Sequence, residues 1–231
     1  MLYITGDTHG MIDIQKIKDM AGALHKEDYL LITGDFGVIW RNESDDLEES
    51  LISIYENLGC TVLWIDGNHE NHVRINNLPV EEWYGGKAHR ISENIIHLMR
   101  GEIFEIAGYK IFTMGGAAST DKEWRIPDVS WWKEEIPCEK EKKNALNNLK
   151  KAEYNIDFVI THTAPSHIIK EMNAFYRIDE YTDWLEGLSK KMNFSQWYFG
   201  HFHIDRTFEN GKYIACFDEI AMLPEKINNN K

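Results

Sequence analysis

Five short clusters of Asp, Asn and His side chains recur along the sequence, and four of them begin with glycine. In chain order they are Gly6-Asp7-Thr8-His9-Gly10, Gly34-Asp35, Gly67-Asn68-His69-Glu70, His162 and Gly200-His201-Phe202-His203. Carboxylate and neutral imidazole groups suit Mn, Fe, Zn or Ni, and no cysteine lies at a ligand spacing that would favour a softer ion. The residue types therefore predict a metal site.

The spacing within two clusters also suits a shared site. Residues i and i+2 of an extended strand project from the same face, so Asp7 and His9 are predicted to point together, as are His201 and His203. Two divalent ions held about 3.5–4 Å apart form a clamp for in-line displacement at phosphorus. One carboxylate usually bridges such a pair of ions, and Asp35 is the residue predicted to do so.

Each cluster follows a segment whose residue pattern predicts a strand. These strands cover residues 2–6, 29–33, 61–66, 156–161 and 196–200. In α/β sheets, ligands bind beyond the carboxyl ends of the strands. A site assembled from distant segments is therefore expected where these strand ends meet.

The rest of the chain supplies helices and further strands. Helical spacing of apolar residues predicts helices at 12–24, 47–58, 139–154 and 179–191. Residues 89–113 are typical of short antiparallel strands, and 205–217 of a hairpin around Asn210-Gly211. The fold predicted is α/β (α+β), with two mixed β-sheets packed as a sandwich and flanked by helices. We expect one domain over residues 1–225 and a frayed tail at 226–231.

Tryptophans concentrate in an irregular segment at residues 117–137. Trp124, Trp131 and Trp132 lie there, whereas Trp64 lies in a predicted strand and is expected in the core. The segment could be a lid that stacks on a flat substrate group, or a flap that packs over the sheet. Packing is the favoured interpretation.

The overall charge limits the possible partners. The chain has 231 residues, with 25 Lys and Arg against 38 Asp and Glu, which gives a formal net charge of −13. This balance disfavours long nucleic acids and anionic membranes, both of which need a basic surface. The three cysteines are far apart, and no signal peptide or membrane-spanning run is evident, so a cytoplasmic location is predicted. The oligomeric state stays open.

Taken together, the five clusters resemble the signature of the calcineurin-like metallophosphoesterase superfamily, from Ile4 to His203. The resemblance implies a two-sheet sandwich flanked by helices and a centre of two divalent ions, Mn, Fe, Zn or Ni, with Mn favoured. One ion would be held by Asp7, His9, Asp35 and His203, and the other by Asp35, Asn68, His162 and His201. His69 would contact phosphate or protonate the leaving group.

The reaction implied is hydrolysis of a small phosphate ester, either a phosphomonoester or a phosphodiester. A hydroxide that bridges the two metals would attack phosphorus in line. We predict Asp35, Asn68 and His69 as the catalytic residues. Many superfamily members read Gly-Asp-x-x-Asp-Arg-Gly at the second cluster, whereas this chain lacks the second Asp and has Arg41 later. This departure disfavours the protein Ser/Thr phosphatase branch.

Two further residues are candidates for substrate contact. Arg125 lies in the Trp-rich segment and could bind phosphate, and His72, three residues after His69, could reach the rim of the site. Two alternative functions are also open. The chain could be an inactive scaffold that kept the fold, although no predicted ligand is missing, or a nuclease for short or cyclic nucleotides.

Overall fold

The computed structural model describes residues 1–224, and the predicted tail at 226–231 lies outside them. In chain order the strands are β1 (Leu2–Thr5), β2 (Tyr29–Ile32), β3 (Thr61–Trp64), β4 (Val80–Trp83), β5 (Gly86–Arg90), β6 (Ile95–Leu98), β7 (Glu102–Ile106), β8 (Tyr109–Met114), β9 (Phe158–Thr161), β10 (Gln196–Phe199), β11 (Arg206–Phe208), β12 (Tyr213–Ala215) and β13 (Ala221–Met222). The helices are α1 (Gln15–Asp19), α2 (Asp46–Glu56), α3 (His72–Asn76), α4 (Glu139–Lys151), α5 (Ser166–Met172) and α6 (Glu180–Ser189). The single domain at 1–225 stays a prediction.

The strands form two mixed sheets. The first has the order β13-β1-β2-β3-β6-β5-β4, with β1, β2, β3 and β6 parallel. The second has the order β11-β12-β10-β9-β8-β7, with β12, β10, β9 and β8 parallel. Antiparallel strands close the edges of both sheets. The predicted pair of mixed sheets is confirmed.

Alternating side chains explain why these short strands are buried on both faces. In β2, Leu31 joins the core between the two sheets, whereas Leu30 and Ile32 face the helices outside. Ile17 of α1 and Leu51 of α2 cover the outer face of the first sheet. A third core lies under α4, α5 and α6 on the second sheet. The predicted sandwich with helices outside is confirmed.

The first helix is much shorter than the predicted span of 12–24. Ile12 is 81% exposed, and the N–H of Asp13 donates to the carbonyl of Thr8 at 3.0 Å, so the chain is still in a loop there. After α1 the chain turns at Gly22, whose φ of 82° lies in the left-handed region that favours glycine. The apolar spacing therefore indicates only the short buried helix within this segment.

The second helix lies where it was predicted, but one of the apolar residues of its predicted buried face is exposed. Its N-cap is Asp45, whose carboxylate accepts the N–H of Glu48 at 3.0 Å. The helical spacing predicts that Leu47, Leu51, Ile54 and Leu58 share one face. Leu51 and Leu58 pack in the core, whereas Leu47 is 41% exposed. Leu47 lies in the first turn of α2 and lines a cavity instead.

Several short elements escaped prediction. The edge strand β4 and the helices α3 and α5 have between four and seven residues each, too few for a periodic pattern. The hairpin of β11 and β12 is confirmed, as is the core position of Trp64. Within 117–137 the Trp132 side chain is buried, whereas Trp124 is 89% exposed. None of the helices found in residues 1–224 has the length and apolarity needed to cross a membrane.

Candidate metal centre

The five polar clusters meet at one end of the sandwich, where the carboxyl ends of strands from both sheets come together. Nε2 of His203 lies 3.2 Å from a carboxylate oxygen of Asp7, which connects the end of β10 to the end of β1. Nε2 of His162, after β9, lies 3.3 Å from Oδ2 of Asp35 and 3.1 Å from Oδ1 of Asn68. The expected convergence of distant segments is confirmed.

The glycines of the clusters are required by close approach. A Cβ atom at Gly34 would lie 2.2 Å from Nδ1 of His162, and one at Gly200 would lie 2.2 Å from Oδ1 of Asp7. Gly67 is equally constrained, since a Cβ there would lie 2.0 Å from a carboxylate oxygen of the neighbouring loop. Each glycine therefore leaves room for a polar side chain of another cluster.

The paired spacing of ligands works through turns rather than through extended strands. His9 has a φ of 43°, His201 of 69° and His203 of 50°, all in the left-handed region. Asp35 adopts the same region with a φ of 48°. The prediction that i and i+2 share the face of a strand is therefore wrong here, because the backbone turns at the ligands themselves. Such conformations cost of order 1 kcal/mol each and persist only where the surroundings hold them.

Nitrogen and oxygen atoms of the clusters form three overlapping groups that could each hold a cation. The groups, in each of which the atoms lie within 4.8 Å of one another, are Asp7 with His9 and His203, His9 with Asp35 and His69, and Asp35 with His162 and His201. The Asn68 amide oxygen completes the set through its contact with His162. All seven side chains predicted as metal ligands are thus brought together.

Hydrogen bonds fix the orientation of two imidazoles. Nδ1 of His162 donates to the carbonyl of Thr33 at 2.8 Å, which leaves its Nε2 as the atom that faces Asp35. Nδ1 of His9 lies 2.8 Å from a carboxylate oxygen of Asp13, and its Nε2 lies 3.3 Å from Asp35. Such second contacts set the tautomer and raise the basicity of metal-binding histidines.

The charges of the cluster fit divalent cations. Asp7 and Asp35 are buried, and within residues 1–224 only histidines lie at ion-pair distance from their carboxylates. Burial opposes protonation of the two nearest histidines, but Asp35 outweighs it and raises the pKa of His9 to about 9 and of His162 to about 10. Burial and the neighbouring His162 lower the pKa of His201 to about 4. Two buried carboxylates without a fixed cation are a suitable environment for metal ions.

A family model described as calcineurin-like phosphoesterase matches residues 2–205. The chain belongs to this family. Its members generally use divalent metals, and this chain is accordingly a metal-dependent phosphoester hydrolase.

A solved structure shares the fold of this phosphoesterase. TT1561 of Thermus thermophilus has a TM-score of 0.54 at 10% identity, over 94% of this chain and 87% of its own. A second structure, phosphopantetheinyl hydrolase from Mycobacterium tuberculosis, has a TM-score of 0.48 at 16% identity, over 94% of this chain and 89% of its own. The search of curated proteins gave no match.

His69 lies between the carboxylates of this phosphoesterase and the Trp-rich segment. The backbone N–H of His69 donates to Oδ1 of Asp35 at 2.7 Å. The His69 ring stacks on Trp40, with the ring centroids 5.7 Å apart. Nη2 of Arg125 donates to Nε2 of His69 at 2.8 Å, while Nε of Arg125 pairs with Asp121 at 2.8 Å. Burial and the nearby Arg125 lower the pKa of His69. Arg125 therefore lies at the edge of the candidate centre, and its contact with phosphate stays a prediction.

Two residues that the sequence analysis missed orient the Asn68 side chain. The amide nitrogen of Asn68 donates to Oγ of Ser119 at 3.2 Å, which turns its oxygen towards His162. Ser119 in turn donates to Glu135 at 2.5 Å. Both partners belong to the irregular segment at 117–137, whose spacing gives no signal for this contact.

Glu70 supports two loops and does not orient its neighbour His69. One carboxylate oxygen accepts the N–H groups of Phe36 at 2.6 Å and Gly37 at 3.2 Å, and the other accepts the N–H of Gly67 at 3.0 Å. The buried carboxyl thus ties the Asp35 loop to the Asn68 loop. Burial and the charge of Asp35 raise the pKa of Glu70 to about 8.

His72 does not lie at the rim of the site. Only 2% of the residue is exposed, and its Nδ1 lies 3.7 Å from Asp66 and 3.4 Å from Nη2 of Arg100. The helical turn after His69 points this side chain inward, under the centre, where substrate cannot reach it. The expected substrate contact of His72 is therefore wrong.

Proposed function

We propose that this phosphoesterase hydrolyses a small phosphate ester at a centre of two divalent ions, with Mn²⁺ favoured over Fe, Zn and Ni. The observation that carries the proposal is the convergence of Asp7 and Asp35, both buried, with His and Asn side chains. Within residues 1–224, no Lys or Arg lies at ion-pair distance from either carboxylate. When bound, the ions would supply a nucleophile at neutral pH and neutralise charge on the phosphoryl oxygens.

The ligands divide into two sets that share Asp35. The first set is Asp7, His9, Asp35 and His203, and the second is Asp35, Asn68, His162 and His201. Two features of the side chains support this division. Oδ2 of Asp35 lies 3.3 Å from both His9 and His162, one from each set. The Asp7 carboxylate accepts the backbone N–H of His201 at 3.0 Å, which links the first set to the second.

His69 and Arg125 act on the substrate beside the metal ligands. The contact with Arg125 favours a neutral His69, because a guanidinium can only donate and the ring nitrogen that it contacts must accept. A phosphate that enters would compete for Arg125, because a guanidinium pairs strongly with phosphate oxygens. Without this contact, His69 could bind a proton from solvent and then donate it to the departing oxygen, or it could donate a hydrogen bond to the phosphate.

Metal add-back tests the proposal. Protein treated with a chelator should not hydrolyse a nitrophenyl phosphomonoester or phosphodiester, and Mn²⁺ should restore hydrolysis of at least one of them. Absence of turnover with Mn²⁺, Fe²⁺, Zn²⁺ and Ni²⁺, in protein that binds these ions, would favour the inactive scaffold instead.

His69→Ala separates chemistry from metal binding. We expect its kcat to fall by about 10²–10³, since positioned acid–base groups contribute on this scale, while its metal content stays at the wild-type value by atomic absorption. A matched control is His25→Ala, an exposed histidine before β2 that should keep full turnover. Unchanged kcat in His69→Ala would remove this residue from the mechanism.

A further inference from the structure

Two cavities open beside different members of the ligand set. The first, about 330 Å³, is lined by His9 and His69 and will be called the Trp40 pocket. The second, about 490 Å³, is lined by His201 and His203 and will be called the Arg177 pocket. Both are large enough for a small organic group. A phosphate at the centre would therefore have room for one substituent in each pocket.

The Trp40 pocket is apolar. Its walls include Met11, Ile12, Val38, Trp40 and Leu47. Three of these side chains are unusually open to solvent for their type: Ile12 is 81% exposed, Met11 43% and Leu47 41%. Large apolar side chains gathered at the mouth of a cavity mark a binding surface, because burying them gains free energy.

The charges at this pocket are already paired. Arg41 forms an ion pair with Asp45, and Glu48 forms ion pairs with Arg74 at 2.6 and 2.8 Å. The pocket therefore offers no spare cation for a second phosphate or a carboxylate. An uncharged, apolar group fits its lining.

The Arg177 pocket is more polar, although Ala118, Ile169, Tyr176 and Phe202 also line it. Hydroxyl groups line it, from Ser119, Thr120, Thr163 and Thr182. The Arg177 guanidinium also lines it, and within residues 1–224 no carboxylate lies at ion-pair distance from this group. Ser119 already donates to Glu135, and Thr182 donates to the carbonyl of Asp179. Arg177, Thr120 and Thr163 are therefore the groups that suit a polar, hydroxyl-bearing substituent.

We infer that the substrate is a phosphodiester that joins an apolar alcohol to a polar, hydroxyl-bearing group, and that the apolar alcohol leaves. The inference rests on the proposed function. His69 lines the Trp40 pocket and is the group placed to donate to the departing oxygen, so the departing group belongs in that pocket. The oxygen of water bonds to phosphorus and the bond from phosphorus to the apolar alcohol breaks. One water proton ends on the departing oxygen, and the other stays on the monoester product or passes to solvent.

A series of alkyl esters of glycerol 3-phosphate, from methyl to octyl, tests the inference in the Mn²⁺-loaded enzyme. We expect glycerol 3-phosphate and the free alkyl alcohol as products, by mass spectrometry. The value of kcat/KM should rise about threefold to fourfold per added methylene until the pocket is filled, as expected for burial of apolar area. Release of alkyl phosphate and glycerol, or a flat series, would overturn the inference.

Two variants separate the pockets. Leu47→Gln should lower kcat/KM for the octyl ester about tenfold and flatten the series. The matched control is Val73→Gln, which changes an apolar side chain of similar exposure, 45%, outside the pocket and should leave the series unchanged. Arg177→Gln should instead raise KM for every member alike. A series as steep in Leu47→Gln as in the wild type would contradict the Trp40 pocket.

The outcomes also separate this inference from the proposed function. An enzyme that hydrolyses nitrophenyl esters with Mn²⁺ but none of the glycerol esters keeps its proposed function and refutes the inference. An enzyme that hydrolyses no ester with any of the four metals refutes both.

Discussion

Two buried clusters of Asp and His lie near each other in this molecule, yet they differ in one respect. Asp66, at the end of β3, contacts His97 at 3.3 Å and also receives a hydrogen bond at 2.8 Å from the guanidinium of Arg100. Asp35 contacts two histidines at the same distance of 3.3 Å, but no guanidinium. We call the first of these the Asp66 cluster.

The Arg100 guanidinium explains why the charges of the two clusters are compensated in different ways. Burial would raise the pKa of Asp66, but the Arg100 charge outweighs it and holds that pKa well below its usual range. Burial likewise opposes the charge of Arg100, and Asp66 reverses this and raises its pKa. At the candidate metal centre, within residues 1–224, His9 and His162 lie at ion-pair distance from Asp35, and their protons compensate its charge in a way that metal ions could replace. The charge of Asp66 is thus compensated within the fold, whereas Asp35 has no arginine partner within residues 1–224, which supports the proposed metal site.

The largest difference is expected when each carboxylate is neutralised. Asp35→Asn should lower kcat/KM at least about 10³-fold and reduce bound Mn²⁺ at both positions, because the shared ligand is lost. Asp66→Asn should keep the metal content of the folded protein, measured by atomic absorption on the soluble fraction. Full occupancy of both metal positions in Asp35→Asn would refute the bridging role. Asp35 would then matter no more for metal binding than Asp66 does.

Removal of the fixed cation should cost stability but not metal. Arg100→Met leaves the Asp66 carboxylate buried without its partner, and we expect a loss of about 3–5 kcal/mol in the free energy of unfolding at pH 7. Urea titration measures this loss. The double variant Asp66→Asn with Arg100→Met should recover part of it, because no charge is then left buried. No recovery would mean that packing rather than charge dominates this cluster.

Low pH should also destabilise the fold through His89, which lies beside His97 at the edge of the Asp66 cluster. His89 stacks on His97, and burial together with the His97 charge lowers the pKa of His89 to about 4. The unfolded chain, with a histidine pKa of about 6.5, binds more protons between these values, so stability is lost as pH falls from about 6.5 towards 4.

His89→Phe checks this expectation, since it removes one titrating group and the unpartnered Nε2 of His89. The free energy of unfolding of the wild type should fall more steeply, by up to about 1.4 kcal/mol per pH unit, than that of the variant. Urea titrations at pH 7.0, 5.5 and 4.5 measure both slopes. Equal slopes would show that His89 titrates normally in the fold.

Sequence alone predicted the parts of this protein that depend on local pattern. Strands that end in Gly-Asp, Gly-Asn and Gly-His were expected at the carboxyl edges of two sheets, and the structure places them there. The Asp66 cluster was not predicted, because Arg100 lies 34 positions from Asp66 and nothing in its spacing marks the pair. The contact of Ser119 with Asn68 was not predicted either, because these residues are also far apart in the sequence.

Other features of the structure could not be predicted, because they depend on backbone conformation and tertiary packing, which residue spacing does not encode. The left-handed turns at His9 and His203 replace the extended geometry that the Asp-x-His and His-x-His patterns indicated. The apolar side chain of Leu47 fitted a buried helical face, but tertiary packing left it at the mouth of a pocket. The roles of the seven converging side chains as metal ligands remain a proposal.

The order in which the ligands occur along the chain has a consequence for biosynthesis. The first sheet contributes Asp7, Asp35 and Asn68 from the first third of the sequence, whereas His201 and His203 come near its end. A nascent chain on the ribosome would thus expose the carboxylates long before the last imidazoles emerge. The proposed centre would therefore be complete only once His201 and His203 have joined the earlier residues.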